Sequence, residues 1–291
     1  MEQLALFDLP EMDGPVAKFS SLRRPVWTEN KARLIERYLY YFVLVTKHGV
    51  YIDGFAGPQE PDKPEMWAAK LVLESEPRWL RSFFLCDSNR EKVRQLENLK
   101  NSQPIRQPRE PKRTIEIFHA DFNNAVNEII SSDQIGDRTA TFCLLDQRTF
   151  ECQWQTIRTL AFLKQEGMKI EQFYFLGSGW LDRAFSGIQD ETKVKSWWGE
   201  SDWKILHNLN SRDRAALFCG RFKEELGYNT AHTFPILGRK GSGKIMYHMI
   251  HATDHPEAPN LMCRAYRKAV SEKEPMEQLK FEFEKWRQSG S

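Results

Sequence analysis

Val50-Tyr-Ile-Asp-Gly-Phe-Ala-Gly-Pro58 combines a short apolar run, an acid at the end of that run, and a turn with two glycines. Such a run predicts a buried strand, and glycine lets the backbone that follows approach a ligand closely. The pattern of an apolar run closed by an acid recurs at residues 82–87 and 141–146, and the run at 114–119 is followed by Asp121. Because ligands in parallel sheets bind beyond the carboxyl ends of the strands, we expect a site near four acids. These are Asp53, Asp87, Asp121 and Asp146.

Amphipathic segments alternate with these strands and predict helices. The first helix is expected to be capped by Thr28 and to end near Gly49; the others span residues 67–76, 90–100, 122–131, 154–165 and 212–226. A fifth strand is predicted at 172–177, and strands at 230–237 and 244–253 form an antiparallel hairpin. A parallel sheet that ends in such a hairpin is typical of S-adenosylmethionine (SAM) dependent methyltransferases. The predicted fold class is therefore α/β, a Rossmann-like methyltransferase sheet with a terminal antiparallel hairpin and helical additions at both ends.

The predicted domain organisation has three parts. Residues 1–26 form an extended leader, because prolines interrupt any regular element there. Residues 27–272 form the methyltransferase-like domain, with a Trp-rich insertion at 178–210, and residues 273–291 form a C-terminal helix and tail. The insertion carries Trp180, Trp197, Trp198 and Trp203. Since neighbouring side chains rarely point the same way, we expect an exposed ring at Trp197-Trp198 and an interface there.

Composition excludes several classes of protein. The chain has 291 residues, 41% hydrophobic and 28% charged, which is usual for a globular protein and excludes general disorder. Lys+Arg number 42 against 40 Asp+Glu, so the net charge of +2 gives no general indication of nucleic-acid binding. The apolar runs are too short to cross a bilayer, and the first residues do not resemble a signal peptide. Five cysteines without a CxxC pair predict reduced thiols in a cytoplasmic protein without a membrane partner.

If the ligand is SAM, each strand-end acid has a role. The turn from Asp53 to Pro58 would meet the methionine part, and Asp87 would accept hydrogen bonds from the ribose hydroxyls. Asp121 would accept from the adenine amino group, Phe122 would cover the adenine ring, and Asp146 would face the reacting centre. The alternative is that these acids are ordinary turn or cap residues.

Several segments together resemble the three-Cys-motif partner protein family. They are the stretch from the helix at Lys31 through residues 51–58 (Tyr-Ile-Asp-Gly-Phe-Ala-Gly-Pro), residues 144–146 (Leu-Leu-Asp), residues 197–203, residues 247–256 and Leu261-Met262. The similarity covers approximately residues 27–272. It implies a methyltransferase-like fold related to adenine-N6 nucleic-acid methyltransferases, and a partner protein with a three-cysteine metal-cluster motif. The cofactor residues expected on this basis are Lys31, Asp53, Gly54, Phe55, Ala56, Gly57, Pro58, Asp87, Asp121 and Phe122.

The expected catalytic residues are Asp146, Gln147 and Phe150. Adenine-N6 methyltransferases hold the amino group with an Asp-Pro-Pro-Tyr segment, whereas this chain has Asp146-Gln-Arg-Thr-Phe150. Asp146 and Gln147 would hold the target amine and Phe150 would stack on the base. Without proline the turn loses its fixed φ. The alternative function is therefore a non-catalytic, methyltransferase-like interaction module.

Four other motifs bear on possible ligands and partners. Gly238–Lys244 matches part of a phosphate-binding loop, but a strand follows it and the Ser/Thr is missing. His248, His251 and His255 do not indicate a metal site, because strand positions three apart face opposite sides. The basic loop at 106–113 is interpreted as solvated rather than as a phosphate contact. In the leader, Gln3, Leu4, Leu6 and Phe7 match the peptide with which bacterial DNA-processing proteins bind the sliding clamp.

Overall fold

The computed structural model describes residues 26–27, 30–105, 108, 110–179, 181–238 and 245–270. Several predictions lie outside these residues: the leader with its clamp motif, the Thr28 cap, most of the basic segment at 106–109, Trp180, the hairpin tip and the tail after residue 270. Within the described residues, no helix is both long and apolar enough to cross a membrane.

Strands and helices alternate along the chain. The strands are β1 (Val26–Trp27), β2 (Val50–Asp53), β3 (Ser82–Asp87), β4 (Thr114–His119), β5 (Thr141–Leu145), β6 (Glu171–Leu176), β7 (Thr230–Leu237) and β8 (Ile245–Thr253). The helices are α1 (Lys31–Thr46), α2 (Ala68–Glu74), α3 (Arg90–Asn101), α4 (Phe122–Ile130), α5 (Trp154–Ala161), α6 (Leu181–Ser186), α7 (Glu191–Trp198), α8 (Ser211–Glu224) and α9 (Ala258–Val270).

The strands form one sheet in the order β1-β7-β8-β6-β5-β2-β3-β4. Neighbouring strands are parallel except at β8, which is antiparallel to both β6 and β7. The chain builds outward from β2 to β4, then returns to place β5 on the other side of β2. This Rossmann-like arrangement with an inserted antiparallel strand confirms the predicted methyltransferase fold class. Its switch point lies between β2 and β5.

Helices cover both faces of the sheet. One apolar core lies between the sheet and helices α4, α5, α7 and α8, and the second lies between the sheet and α1, α2, α3 and α9. The central strands β2, β3, β5 and β6 are buried along their whole length, as parallel strands between two helical layers must be. The helical layers cover the faces of the sheet but not the carboxyl ends of these strands, where polar side chains lie.

The predicted boundaries differ most in two helices, α1 and α5. Helix α1 begins at Lys31 after Asn30, whose side chain makes no cap hydrogen bond, and ends with Lys47 at a positive φ of 61° rather than at a glycine. Helix α5 ends at Ala161 and not at residue 165. The fully buried positions of α5 stop at Ala161, and Phe162 is 47% exposed, so less packing supports a further turn.

The expectation of an exposed ring at Trp197-Trp198 is wrong. Both indoles are buried, as is Trp203. The Trp197 Nε1–H donates to the Tyr174 hydroxyl at 2.7 Å, and the Trp198 ring lies 4.0 Å from the guanidinium of Arg221. Successive helix positions are about 100° apart, so Trp197 and Trp198 point in different directions. Both indoles are buried because Tyr174 contacts one and Arg221 contacts the other.

Candidate functional site

The carboxyl ends of the strands bring the four predicted acids to one cleft. Two adjoining cavities, of about 250 Å³ and about 100 Å³, share Phe55, Gln59 and Asp146 in their walls. Asp87 and Asp121 line the larger cavity, and Asp53 lines the smaller one. We call the two cavities together the cleft. It lies at the switch point, where open α/β sheets bind their ligands.

The glycine turn packs tightly against the protein on two sides. The Gly57 N–H donates to Asp87 Oδ2 at 3.1 Å, and a Cβ at Gly57 would lie 2.6 Å from that same oxygen. At Gly54, a Cβ would lie 2.8 Å from the ring of Phe122. These positions require glycine because the turn approaches β3 and α4 so closely. Ala56 and Gly57 line the smaller cavity, whereas Pro58 is buried outside both.

Asp53 is the most deeply buried acid of the cleft. One carboxylate oxygen accepts from the Tyr51 hydroxyl at 2.8 Å, and the other accepts from the Phe55 N–H at 3.1 Å. Burial raises the pKa of Asp53 to about 7, and these hydrogen bonds offset part of the effect. Asp53 therefore holds the glycine turn onto the end of β2.

Asp87 and Asp121 each hold a local turn while they face the larger cavity. Asp87 Oδ1 accepts from the Asn89 N–H at 2.9 Å, and the Lys92 ammonium lies 3.7 Å from Oδ2. Asp121 caps α4, since its Oδ1 accepts from the Asn123 N–H at 2.8 Å. The cap interpretation thus accounts for one oxygen of Asp121. Among the described residues, the hydrogen bonds of this cap use Oδ1 and leave Oδ2 unused by the cap.

Phe55 and Phe122 form an aromatic wall beside these acids. Phe122 is buried and lies against Gly54, while Phe55 is half-buried, with its ring centroid 6.3 Å from that of Phe122. Both line the larger cavity. The half-buried ring leaves an apolar surface that a flat ring of a ligand would contact.

Asp146 is bound by groups from two other elements. Its Oδ1 accepts from the Lys31 ammonium at 2.6 Å, and its Oδ2 from the Gln59 amide at 3.3 Å. The same ammonium lies 4.7 Å from the ring centroid of Phe175 and 4.6 Å from that of Tyr247. One carboxylate and two aromatic faces thus surround the charge of a buried lysine.

Gln147 and Phe150, which the sequence assigned to the substrate, line neither cavity of the cleft. The Gln147 side chain is buried, and its oxygen accepts from the Cys152 N–H at 2.9 Å. The Phe150 ring stacks on Phe185 at 5.7 Å and meets the edge of Trp197. The segment after β5 turns these two side chains toward the core, so the structure does not support their predicted roles.

Sequence reasoning missed several residues of the cleft. Gln59, Lys92, Arg148, Glu151 and Tyr247 line it in addition to the predicted residues. Gln59 directly follows the glycine turn in sequence, so its place in the cleft could have been predicted. Tyr247 is distant in sequence, and its place depends on β8 running antiparallel beside β6. No local pattern indicates that pairing in advance.

The predicted separation of the histidines on β8 holds. His248 Nδ1 lies 2.8 Å from the Ser178 hydroxyl, whereas His251 Nε2 lies 2.8 Å from Glu171 on the other face.

Comparisons with known proteins give a distant match in structure. No family model matches the chain, and no curated protein matches it. Among solved structures, 11 chains match. One is the crystal structure of the CurJ carbon methyltransferase, with 12% sequence identity and a TM-score of 0.43. The match covers 75% of this chain and 54% of that chain, so this chain spans about half the length of that structure. The resemblance to the three-Cys-motif partner family stays a prediction.

Proposed function

We propose that the cleft binds SAM and that the chain is a SAM-dependent methyltransferase acting on an amino group. The observation that carries the proposal is the convergence of Asp53, Asp87, Asp121 and Asp146 with the glycine turn at the switch point. When bound, SAM supplies an electrophilic methyl group on a sulfonium. The protein's task is then to orient two reactants and exclude water.

The larger cavity fits the adenosine part of the cofactor. Asp87 would accept hydrogen bonds from the ribose hydroxyls while it keeps the Gly57 and Asn89 N–H groups. Asp121 keeps Oδ1 on the cap of α4 and would offer Oδ2 to the adenine amino group. The half-buried Phe55 ring, backed by Phe122, would contact the adenine face.

The smaller cavity fits the methionine part and the reacting centre. Its walls combine the glycine turn with Asp53, Lys31 and Asp146. Asp146 would orient the acceptor amine through a carboxylate oxygen. Lys31 and Gln59 each bind one of those oxygens in this structure, and each oxygen can accept a second hydrogen bond from the amine. The apolar walls of Phe175 and Tyr247 keep that region dry, which strengthens charge interactions within it.

The acceptor class comes from the sequence rather than from the cleft. We propose an amino group in nucleic acid, with a metal-cluster protein as partner. The basis is the resemblance to a family that is related to adenine-N6 nucleic-acid methyltransferases and whose genes accompany a protein with a three-cysteine metal-cluster motif. The presence of Arg148 in the cleft wall supports the substrate part, since arginine is a usual phosphate contact. The alternative is a non-catalytic, methyltransferase-like interaction module in a DNA-processing or defence complex.

Calorimetric titration with SAM and with its demethylated product tests cofactor binding. We expect the parent chain to bind both, and the Gly57→Asp variant to lose at least about tenfold in affinity, because its carboxylate would crowd Asp87 and repel an anionic cofactor group. Gly187→Asp is the control, since a Cβ there meets nothing nearer than 3.6 Å. Asp87→Asn provides a second test if Gly57→Asp lowers the melting temperature. No binding by the parent at about 1 mM ligand would refute the proposal.

Transfer of a labelled methyl group to mixed DNA and RNA oligonucleotides tests activity. Asp146→Ala should abolish transfer while leaving cofactor affinity within about threefold, because Asp146 is placed at the acceptor. Cofactor binding without any transfer by the parent chain would favour the interaction module.

A further inference from the structure

A separate cavity, of about 220 Å³, opens at the other end of the strands from the cleft. It lies at the amino ends of β5 and β6, beneath the carboxyl-terminal half of α1 and the start of α9. Phe42, Val45, Met168 and Leu261 give it apolar walls. Glu171, the first residue of β6, lies at its floor, and we call it the Glu171 cavity. None of the residues assigned to the cleft contributes to it.

Glu171 is a buried carboxylate bonded by neutral donors and an imidazole. Its Oε1 accepts from the Tyr38 hydroxyl and from His251 Nε2, the latter at 2.8 Å. Its Oε2 accepts from the Thr253 hydroxyl at 3.0 Å. Burial and the neighbouring carboxylate raise the pKa of Tyr38 well above its ordinary value, so this phenol stays a donor.

The carboxylate retains acceptor capacity and lacks a lysine or arginine partner among the described residues. Each carboxylate oxygen can accept about two hydrogen bonds, and Oε2 accepts the one described from Thr253. Buried charges are normally paired with an opposite charge. Among the described residues, the basic group that contacts Glu171 is the His251 imidazole, which is a charge partner only when protonated.

The lysines of the cavity wall are bound elsewhere. Lys164 donates to the Thr139 carbonyl. Lys169 donates to the Gly227 carbonyl at 3.0 Å and lies 3.6 Å from the Asp254 carboxylate. Arg138, which also lines the wall, is exposed. No described ion pair joins Glu171 to a lysine or arginine of the wall, so an ammonium that enters the cavity meets no such competitor there.

We propose that the Glu171 cavity binds a small primary amine with an apolar body. The ammonium donates to Glu171 Oε2 and supplies the missing charge, while the body packs against Phe42, Val45 and Leu261. The volume exceeds the roughly 150 Å³ of an engineered apolar cavity that holds benzene, so a single aromatic ring fits. This site is separate from the proposed function and stands whether or not the cleft binds SAM.

Titration of the full chain with benzylamine, and with benzyl alcohol as its neutral counterpart, tests the proposal. We expect benzylamine to bind at least about tenfold more tightly, because a hydrogen bond between two charged groups exceeds one from a hydroxyl. Met168→Trp should weaken benzylamine binding about tenfold by filling the mouth. Ile205→Trp is the matched control, since Met168 and Ile205 are 47% and 42% exposed.

Glu171→Gln should remove the preference for the amine over the alcohol. If that variant fails to fold, Met168→Trp and the ligand pair still decide the matter. Equal affinity for the two ligands, no binding of benzylamine, or binding that Met168→Trp leaves unchanged would each overturn the proposal.

Discussion

At the scale of single residues, Asp53 makes stability depend on pH. Its pKa of about 7 in the folded protein exceeds the ordinary aspartate value near 4, so the folded state binds a proton that the unfolded chain has already released. The free energy of unfolding should therefore fall as pH rises from about 4 to 7 and level off above. Asp53→Asn removes this dependence. Relative to the parent, the variant should gain up to roughly 4 kcal/mol between the two ends of this range.

Urea unfolding at pH 4 and pH 8 measures this gain. Asp133→Asn is the control, because Asp133 is exposed. A parent and an Asp53→Asn variant with the same pH dependence would contradict the assigned burial.

Individual residues of the site could be predicted only in part. Asp53, Asp87, Asp121 and Asp146 were located by their positions at strand ends, because parallel strands end at one edge of a sheet. Gln147 and Phe150 were not, since the direction of a side chain in an irregular turn depends on contacts distant in sequence. For Phe150 those contacts are Phe185 and Trp197. Gln147 instead accepts from the Cys152 N–H five residues along the chain, within the irregular turn itself.

At the scale of elements, α7 is held to the sheet chiefly by Trp197. Its indole is fully buried, donates to Tyr174 and lies 5.0 Å from the ring of Phe218. Trp197→Ala should lower the free energy of unfolding by about 3–5 kcal/mol, measured by urea denaturation. Phe162→Ala, at a ring that is 47% exposed, should cost less than about 1 kcal/mol. A small loss at Trp197 would mean that α7 does not pack as described.

The elements show why a Trp-rich segment is ambiguous in sequence. A tryptophan pair has the same composition at an interface and in a core. The outcome depends on the groove between Tyr174, Phe218 and Arg221, which exists only after β6 and α8 have packed.

At the scale of the whole molecule, the order of elements from α1 to β6 and the hairpin of β7 and β8 were predictable, because hydrophobic runs and their spacing are local signals. The edge strand β1 and the helices α6 and α7 were not predicted, because they lie where the sequence shows no clear period. The antiparallel direction of β8 followed from the short hairpin connection. The Glu171 cavity was not predicted, because its floor and walls come from α1, β6, β8 and α9, which no short motif connects.

The leader gives the whole chain a further expected partner. If Gln3–Phe7 binds the bacterial sliding clamp, burying Leu6 and Phe7 contributes roughly 3–6 kcal/mol before the peptide is ordered, so micromolar affinity is expected. Capture on an immobilised clamp should be lost in the double variant Leu6→Ala, Phe7→Ala. It should persist when Asp8 and Leu9, outside the motif, are changed to alanine. Equal capture of both variants would exclude the motif.

Strand β8 extends from the cleft to the Glu171 cavity and is hydrogen-bonded to a neighbouring strand on each side. Tyr247, near its beginning, faces the Lys31 ammonium, and Thr253, at its end, binds Glu171. A single residue inserted between them would shift the register and turn one part of the strand over, since successive side chains alternate between faces. The cleft and the Glu171 cavity would then lose their alignment together. A change in chain length between Tyr247 and Thr253 should therefore disturb both cavities at once, even where each side chain alone tolerates substitution.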